Sequence, residues 1–136
     1  MLDETYFNQL GAGYLPGLLG LVITDVRPLE LDSLLPVTRT LLAPNGYLHA
    51  GTVLAMADTT AGYGCVANLP AGAESFTTIE TKSNHLGTAR EGNVLCTARC
   101  VHAGRTTQVW AAEVVHQQSG KRVCVFRCTQ LILWPR

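Results

Sequence analysis

Charge is scarce in this sequence and evenly balanced. Charged side chains make up 15% of the 136 residues, and ten Lys and Arg are matched by ten Asp and Glu, which gives a formal net charge of zero. Lys and Arg form no cluster along the sequence of the kind that contacts nucleic-acid phosphates. We therefore expect no nucleic-acid partner.

Long apolar runs and a secretory leader are also missing. No segment is both apolar and free of charge over the roughly 20 residues that a membrane span needs. The most apolar stretch carries Asp58 in its middle, and the first four residues are acidic where a signal peptide would be basic. These features predict a cytoplasmic protein without a membrane span.

The five cysteines lack the spacing of a metal site. Cys96 and Cys100, and likewise Cys124 and Cys128, stand four residues apart within strand-like sequence. In a strand this spacing places both thiols of a pair on one face. Zinc ligands are typically separated by turn residues instead. We predict small buried or half-buried thiols and no metal.

Hydrophobic residues are abundant, at 47% of the chain. This share and the chain length predict a single domain over residues 1–136 with a well-filled interior. Apolar spacing predicts an N-terminal helix over 2–14 and a long helix over 49–68. Strands are predicted at 19–26, 29–37, 75–85, 92–103, 106–118 and 122–134. Because strands and helices do not alternate, this order predicts an α+β fold with an antiparallel sheet of about six strands.

The long helix is the unusual element. Between Gly46 and Glu74 its only Asp, Glu, Lys or Arg is Asp58. A lone acid in an apolar helix is costly unless it is paired or functional. Asp58 is therefore either a structural acid, bonded to Thr59 or Thr60, or a catalytic one. Because the helix is apolar on nearly every side, a second chain or a strongly curled sheet must cover what one sheet leaves open.

The start of this helix carries a motif. It reads Gly46-Tyr-Leu-His49-Ala50-Gly51, and Asp58 follows His49 by nine residues. This resembles the hotdog-fold acyl-CoA thioesterases, most closely the phenylacetate-pathway and 4-hydroxybenzoyl-CoA thioesterase-like branch. Their pattern is a loop Asn or Gln, then Gly-x-x-His-Gly-Gly, then Asp or Glu nine residues after the His.

The similarity extends beyond the helix and also has departures. It continues through residues 77–92 and again at Gly104-Arg105. The first Gly of the family's His-Gly-Gly is Ala50 here. The family's loop amide would fall at Ala43, whereas Asn45 lies two residues later. The resemblance implies a hotdog fold, in which the antiparallel sheet wraps around one central helix.

The resemblance also implies an activity, the hydrolysis of an aryl or medium-chain acyl-CoA. It requires no cofactor, because coenzyme A is part of the substrate and product. A non-catalytic acyl-CoA-binding regulator on the same fold is the alternative. The implied catalytic residues lie in the loop, the helix and the following strand: Asn45, His49, Ala50, Gly51, Asp58, Thr77 and Thr78. The implied CoA-binding residues lie in later connections: His85, Arg90, Gly104, Arg105 and Thr106.

The chemistry of these groups suits thioester hydrolysis. The amides of Ala50 and Gly51 at the helix N-terminus can bind an oxyanion, and His49 can orient the loop or help polarise the carbonyl. Asp58 can act as a general base on water or as a nucleophile. A hydroxyl at Thr78 could hold the water.

The spacing of His49 and Asp58 has a consequence for assembly. Nine residues of helix separate them by about 13 Å, too far for both to contact one thioester carbonyl. Two helices packed antiparallel across a two-fold axis would bring the N-terminus of one to the middle of the other. We therefore predict a homodimer with shared sites, and the family suggests a further pairing of dimers.

Overall fold

A computed structural model describes residues 2–136 of the chain. Within these residues it contains three α-helices, six strands and one short 3-10 turn at Arg39–Leu41. The helices are α1 (Glu4–Gly11), α2 (Leu15–Leu19) and α3 (Ala50–Ala67). The strands are β1 (Val22–Arg27), β2 (Glu30–Pro36), β3 (Ser75–His85), β4 (Asn93–Ala103), β5 (Thr107–His116) and β6 (Arg122–Leu133).

The six strands form one antiparallel sheet in the order β1-β2-β4-β5-β6-β3, and α3 packs along one face of it. This confirms the predicted α+β hotdog architecture. The central helix is bounded by His49 and Asn68, which are its N-cap and C-cap. None of the helices in residues 2–136 is long and apolar enough to cross a membrane.

The prediction of one N-terminal helix over 2–14 is wrong in extent. The helix ends at Gly11, and a second, five-residue helix follows at Leu15. Gly13 adopts a left-handed φ of 81°, which breaks the helical path. Pro16 then fits the first turn of α2, where its missing N–H needs no partner.

The alternating strand residues that face α3 form the core. Leu31, Leu35, Val94 and Trp110 are fully buried there.

The cysteines are free thiols, buried except for the half-buried Cys100, as the strand spacing predicted. Burial raises the pKa values of Cys65, Cys96 and Cys128 to about 12. These thiols therefore stay protonated and unreactive near neutral pH.

The N-terminal helix covers part of α3 that the sheet leaves open. Phe7 on α1 is fully buried and stacks on Tyr63 of α3, with ring centroids 4.8 Å apart. Asn8 hydrogen-bonds both backbone groups of Ile23 on the outer edge of β1, and Glu4 accepts from the N–H of Val26. The helix α1 is thus a packing element that also closes one edge of the sheet.

Close contact between α3 and the sheet depends on Gly64. A Cβ at this position would lie 2.6 Å from Cζ3 of Trp110, whose indole N–H is fixed by a 2.8 Å bond to Gln108. We expect Gly64→Ala to lower the free energy of unfolding by about 1–2 kcal/mol, because overpacking outweighs the helical preference of alanine. Urea unfolding measures this loss.

The matched control is Gly62→Ala on the same helix. A Cβ there approaches only the end of the half-buried Phe76 ring, at 3.1 Å. Because that ring can give way, the control should cost much less. Equal losses for the two variants would contradict the packing argument.

Candidate active site

A tight loop delivers the chain to the start of α3. Ala43 donates its N–H to the Tyr47 carbonyl at 2.7 Å, and Gly46 donates to the Ala43 carbonyl at 2.9 Å. Gly46 has a φ of 88°, a conformation that favours glycine. The side-chain oxygen of Asn45 accepts from the Tyr47 N–H at 3.2 Å. Asn45 therefore stabilises the turn, and a direct catalytic role for it stays a prediction.

His49 caps the N-terminus of α3 with its imidazole. Its Nδ1 accepts the Gly51 N–H at 2.7 Å. An accepting Nδ1 carries no proton, so the neutral ring carries its proton on Nε2. The Gly51 amide is thus already engaged, whereas the Ala50 amide donates to no other group of residues 2–136. Of the two predicted oxyanion donors, only the Ala50 amide is free, and the Nε2–H of His49 is a second available donor.

Asp58 lies half-buried near the middle of α3. Its Oδ1 is buried and has no hydrogen-bond partner among residues 2–136. Burial raises the pKa of this carboxyl above its usual range. A structural acid would, for instance, bond to Thr59 or Thr60. Thr60 instead donates to the Met56 carbonyl and pairs with Ser33, each at 2.7 Å.

Asp58 lies on the helix that packs against β3 and β6. Its charge contributes to raising the pKa of the Cys128 thiol on β6. Thr78 on β3 pairs with Gln130 on β6, and its hydroxyl donates to the Gln130 Oε1 at 2.7 Å. Gln130 is fully buried. A hydroxyl and a buried amide therefore lie on these two strands, beside the Cys128 thiol that the charge of Asp58 affects.

The two predicted threonines point to opposite faces of the sheet. Thr78 stands opposite the buried Gln130, whereas Thr77 stands opposite the exposed Leu131. Successive strand residues alternate between faces, so only one of the two can face α3. Thr77 therefore lies on the sheet face away from α3, and a catalytic role for it stays a prediction.

Two of the predicted CoA-binding residues lie near the N-terminal end of α3. The connection from β3 to β4 is tied to this end by a 2.9 Å bond from the Leu48 N–H to the Ala89 carbonyl. Arg90 in this connection lies over the Tyr47 ring, 4.3 Å from its centroid. His85 is the exposed last residue of β3, where the connection begins.

The other three lie near the C-terminal end of α3. Gly104, Arg105 and Thr106 form the turn from β4 to β5. Arg105 lies over the Trp134 ring, 4.7 Å from its centroid, and its carbonyl accepts the indole N–H at 3.0 Å. The following strand contacts the C-cap of α3, because Gln108 donates to the Asn68 carbonyl at 2.8 Å. One chain therefore does not bring the five residues together.

Nor does one chain bring its own His49 and Asp58 together, because they remain nine residues apart along α3. The described residues contain no group of three or more His, Cys, Asp or Glu that could hold a metal ion.

The residue that sequence reasoning missed is Gln130. No local motif marks it, since its partner Thr78 lies 52 positions away.

Comparison with known proteins identifies the family. Residues 45–123 match the model of the thioesterase superfamily. The 1,4-dihydroxy-2-naphthoyl-CoA hydrolase of Listeria monocytogenes is 32% identical, over 82% of this chain and 89% of the relative. The enzyme of the same name from Escherichia coli is 30% identical, over 93% of this chain and 91% of the relative.

Solved structures agree. A thioesterase from Haemophilus influenzae superposes with a TM-score of 0.91 at 26% identity, covering 98% of this chain and 92% of that one. The matched motif, the six-stranded sheet and the central helix all belong to one family pattern. The chain is a member of the thioesterase superfamily, a thioester hydrolase with the hotdog fold.

Proposed function

We propose that the protein hydrolyses an acyl-CoA thioester to the free acid and coenzyme A, at sites shared between two copies of the chain. The observation that carries this proposal is the carboxyl of Asp58. It is half-buried, it has an unpartnered oxygen, and its pKa is raised by burial. A perturbed acid of this kind on the central helix of a thioesterase is the natural base or nucleophile.

The open edge of the sheet supports pairing of two copies. The outermost strand β3 is 11 residues long and almost entirely exposed. The opposite edge, β1, is shorter and is closed by side chains of α1. A long open edge is a template for another strand. Pairing of β3 with β3 of a second copy continues the sheet and lays the two α3 helices side by side in opposite directions.

Such a dimer completes the site. The N-terminus of one α3 then faces Asp58 of the other, which overcomes the roughly 13 Å between His49 and Asp58 in one chain. The Ala50 amide and the Nε2–H of His49 polarise the thioester carbonyl. The further pairing of dimers rests on the family resemblance alone.

Asp58 either activates the attacking water or attacks the carbonyl carbon itself. As a general base it takes a proton from water while the water oxygen bonds to the carbonyl carbon. The C–S bond of the tetrahedral intermediate then breaks, and coenzyme A leaves as the thiolate. A thiol with a pKa near 8.5 is a good leaving group, so no acid is needed for it. As a nucleophile, Asp58 would instead form an acyl anhydride that water cleaves.

Substrate recognition follows from chemistry at both ends of α3. The phosphates of coenzyme A favour cationic partners. We propose that Arg90 is one such partner, near the N-terminal end of α3. The turn at residues 104–106 of the partner copy, near the C-terminal end of its own α3, supplies the other through Arg105. The acyl group is proposed to be aryl or medium-chain. Curated relatives that act on 1,4-dihydroxy-2-naphthoyl-CoA favour the aryl class.

The proposal is tested with a panel of aryl-CoA and aliphatic acyl-CoA substrates. We expect hydrolysis, fastest with an aryl or medium-chain member. The free acid should be measured by chromatography, which detects the product of the reaction directly. Binding of acyl-CoA without any hydrolysis across the panel would contradict the proposal and favour the non-catalytic regulator.

A further inference from the structure

A fully buried glutamine lies on the sheet face that packs against the helix of the proposed catalytic carboxylate. Gln130 belongs to β6 and faces α3, and its side chain is completely excluded from solvent. A buried amide is costly unless its groups are hydrogen-bonded. Its Oε1 accepts the Thr78 hydroxyl at 2.7 Å, and its Nε2 lies 3.5 Å from the Cys128 sulfur. Both ends of the amide are therefore occupied in a defined orientation.

This arrangement fixes the direction of the Thr78 hydroxyl proton. A carbonyl oxygen can only accept hydrogen bonds, and a hydroxyl has a single proton to donate. The Thr78 proton is therefore engaged by Gln130 and is not available to another acceptor. The Thr78 oxygen can still accept a hydrogen bond from another donor.

The position of Cys128 relates this pair to Asp58. The Cys128 sulfur contacts the Gln130 amide, and the Asp58 carboxylate lies near enough to raise the pKa of the same thiol. Phe76, two residues before Thr78 on the same face of β3, lies against Gly62, one helical turn after Asp58. The Thr78 hydroxyl and the unpartnered Asp58 oxygen thus border the same region.

We propose that Gln130 is a positioning residue that makes Thr78 an acceptor for the attacking water. This inference rests on the proposed thioesterase function, with Asp58 as general base. One water proton passes to Asp58 while the other is hydrogen-bonded to Thr78, and the water oxygen bonds to the thioester carbon. The C–S bond then breaks and the thiolate leaves. The water proton held by Thr78 remains on the acid product and is released to solvent when that acid ionises.

The test replaces each partner separately and together. Gln130→Met keeps the volume and apolar fit but removes the acceptor, and Thr78→Val removes the hydroxyl. We expect each variant to lower kcat about 10²-fold with KM nearly unchanged, because a misplaced nucleophile loses the benefit of orientation. Thr78→Ser should retain most of the activity. The double variant should be no slower than Thr78→Val alone, since Gln130 acts through that hydroxyl.

Each other outcome is decisive. If Gln130→Met keeps its kcat, or slows the Thr78→Val enzyme by a further 10²-fold, the positioning role is wrong. Should Gln130→Met fail to fold, Thr78→Val and Thr78→Ser still decide, because equal activity of both with wild type overturns the inference. Failure of the proposed function is distinguishable, since the wild type would then hydrolyse no acyl-CoA.

Discussion

Asp58→Asn is expected to lower kcat for acyl-CoA hydrolysis by about 10³-fold, the effect of removing a general base. The asparagine fills the same space but can neither accept a proton nor act as a nucleophile. Binding should persist, because the groups proposed to contact coenzyme A and the carbonyl remain. Steady-state kinetics gives kcat, and calorimetry with a non-hydrolysable acyl-CoA analogue gives the Kd.

The matched control is Glu113→Gln. Glu113 is an exposed acid on the sheet face away from α3, where it pairs with Arg122 at 3.2 Å. The same loss of one carboxylate there should leave kcat unchanged. Near wild-type activity of Asp58→Asn would contradict the catalytic assignment and return Asp58 to a structural role.

The pH dependence follows from the direction of the pKa shift. Burial raises the pKa of the Asp58 carboxyl, and only the deprotonated form can serve as base or nucleophile. The rate therefore falls as the pH drops through a pKa above the ordinary range of an aspartic acid. The residual activity of Asp58→Asn should lack this step.

Much of the fold was accessible from local sequence. The strand β3 begins and ends where it was predicted, because β-branched Thr and Ile are frequent there and Gly87 follows it. The bounds of α3 were predicted to within one residue, since an apolar run between a loop and a Leu-Pro pair leaves few alternatives. The N-terminal helix was predicted to be too long because its apolar side chains keep a spacing of four residues across Gly11 and Gly13. The backbone, however, leaves the helical conformation there.

The site was only partly accessible. The resemblance to the family motif identified His49 and Asp58, but it could not show that the His49 imidazole accepts the hydrogen bond of the Gly51 amide. That contact depends on a side-chain rotamer. Thr77 and Thr78 were inseparable until the strand register placed them on opposite faces. Gln130 could not be identified from the sequence, since its proposed role depends on its hydrogen bond to Thr78 on the neighbouring strand.

The largest qualitative effect is expected from combining two inactive chains. His49→Ala and Asp58→Asn should each inactivate the homodimer, because every shared site then lacks one half. In a heterodimer of the two variants, one site receives His49 from one chain and Asp58 from the other and is intact. Co-expression with two different affinity tags and tandem purification yields this heterodimer. We expect it to regain about half of the wild-type activity per dimer.

The matched control places both substitutions in one chain and pairs it with a wild-type chain. If the sites are shared, each site of this heterodimer lacks either His49 or Asp58, and the activity should be near zero. If each chain instead built its own site, the wild-type chain would retain about half of the activity per dimer and the first heterodimer would have none. The two heterodimers contain the same substitutions and differ only in their distribution between chains. Their opposite activities therefore report which chain supplies the carboxylate, independently of any loss of stability that the substitutions cause.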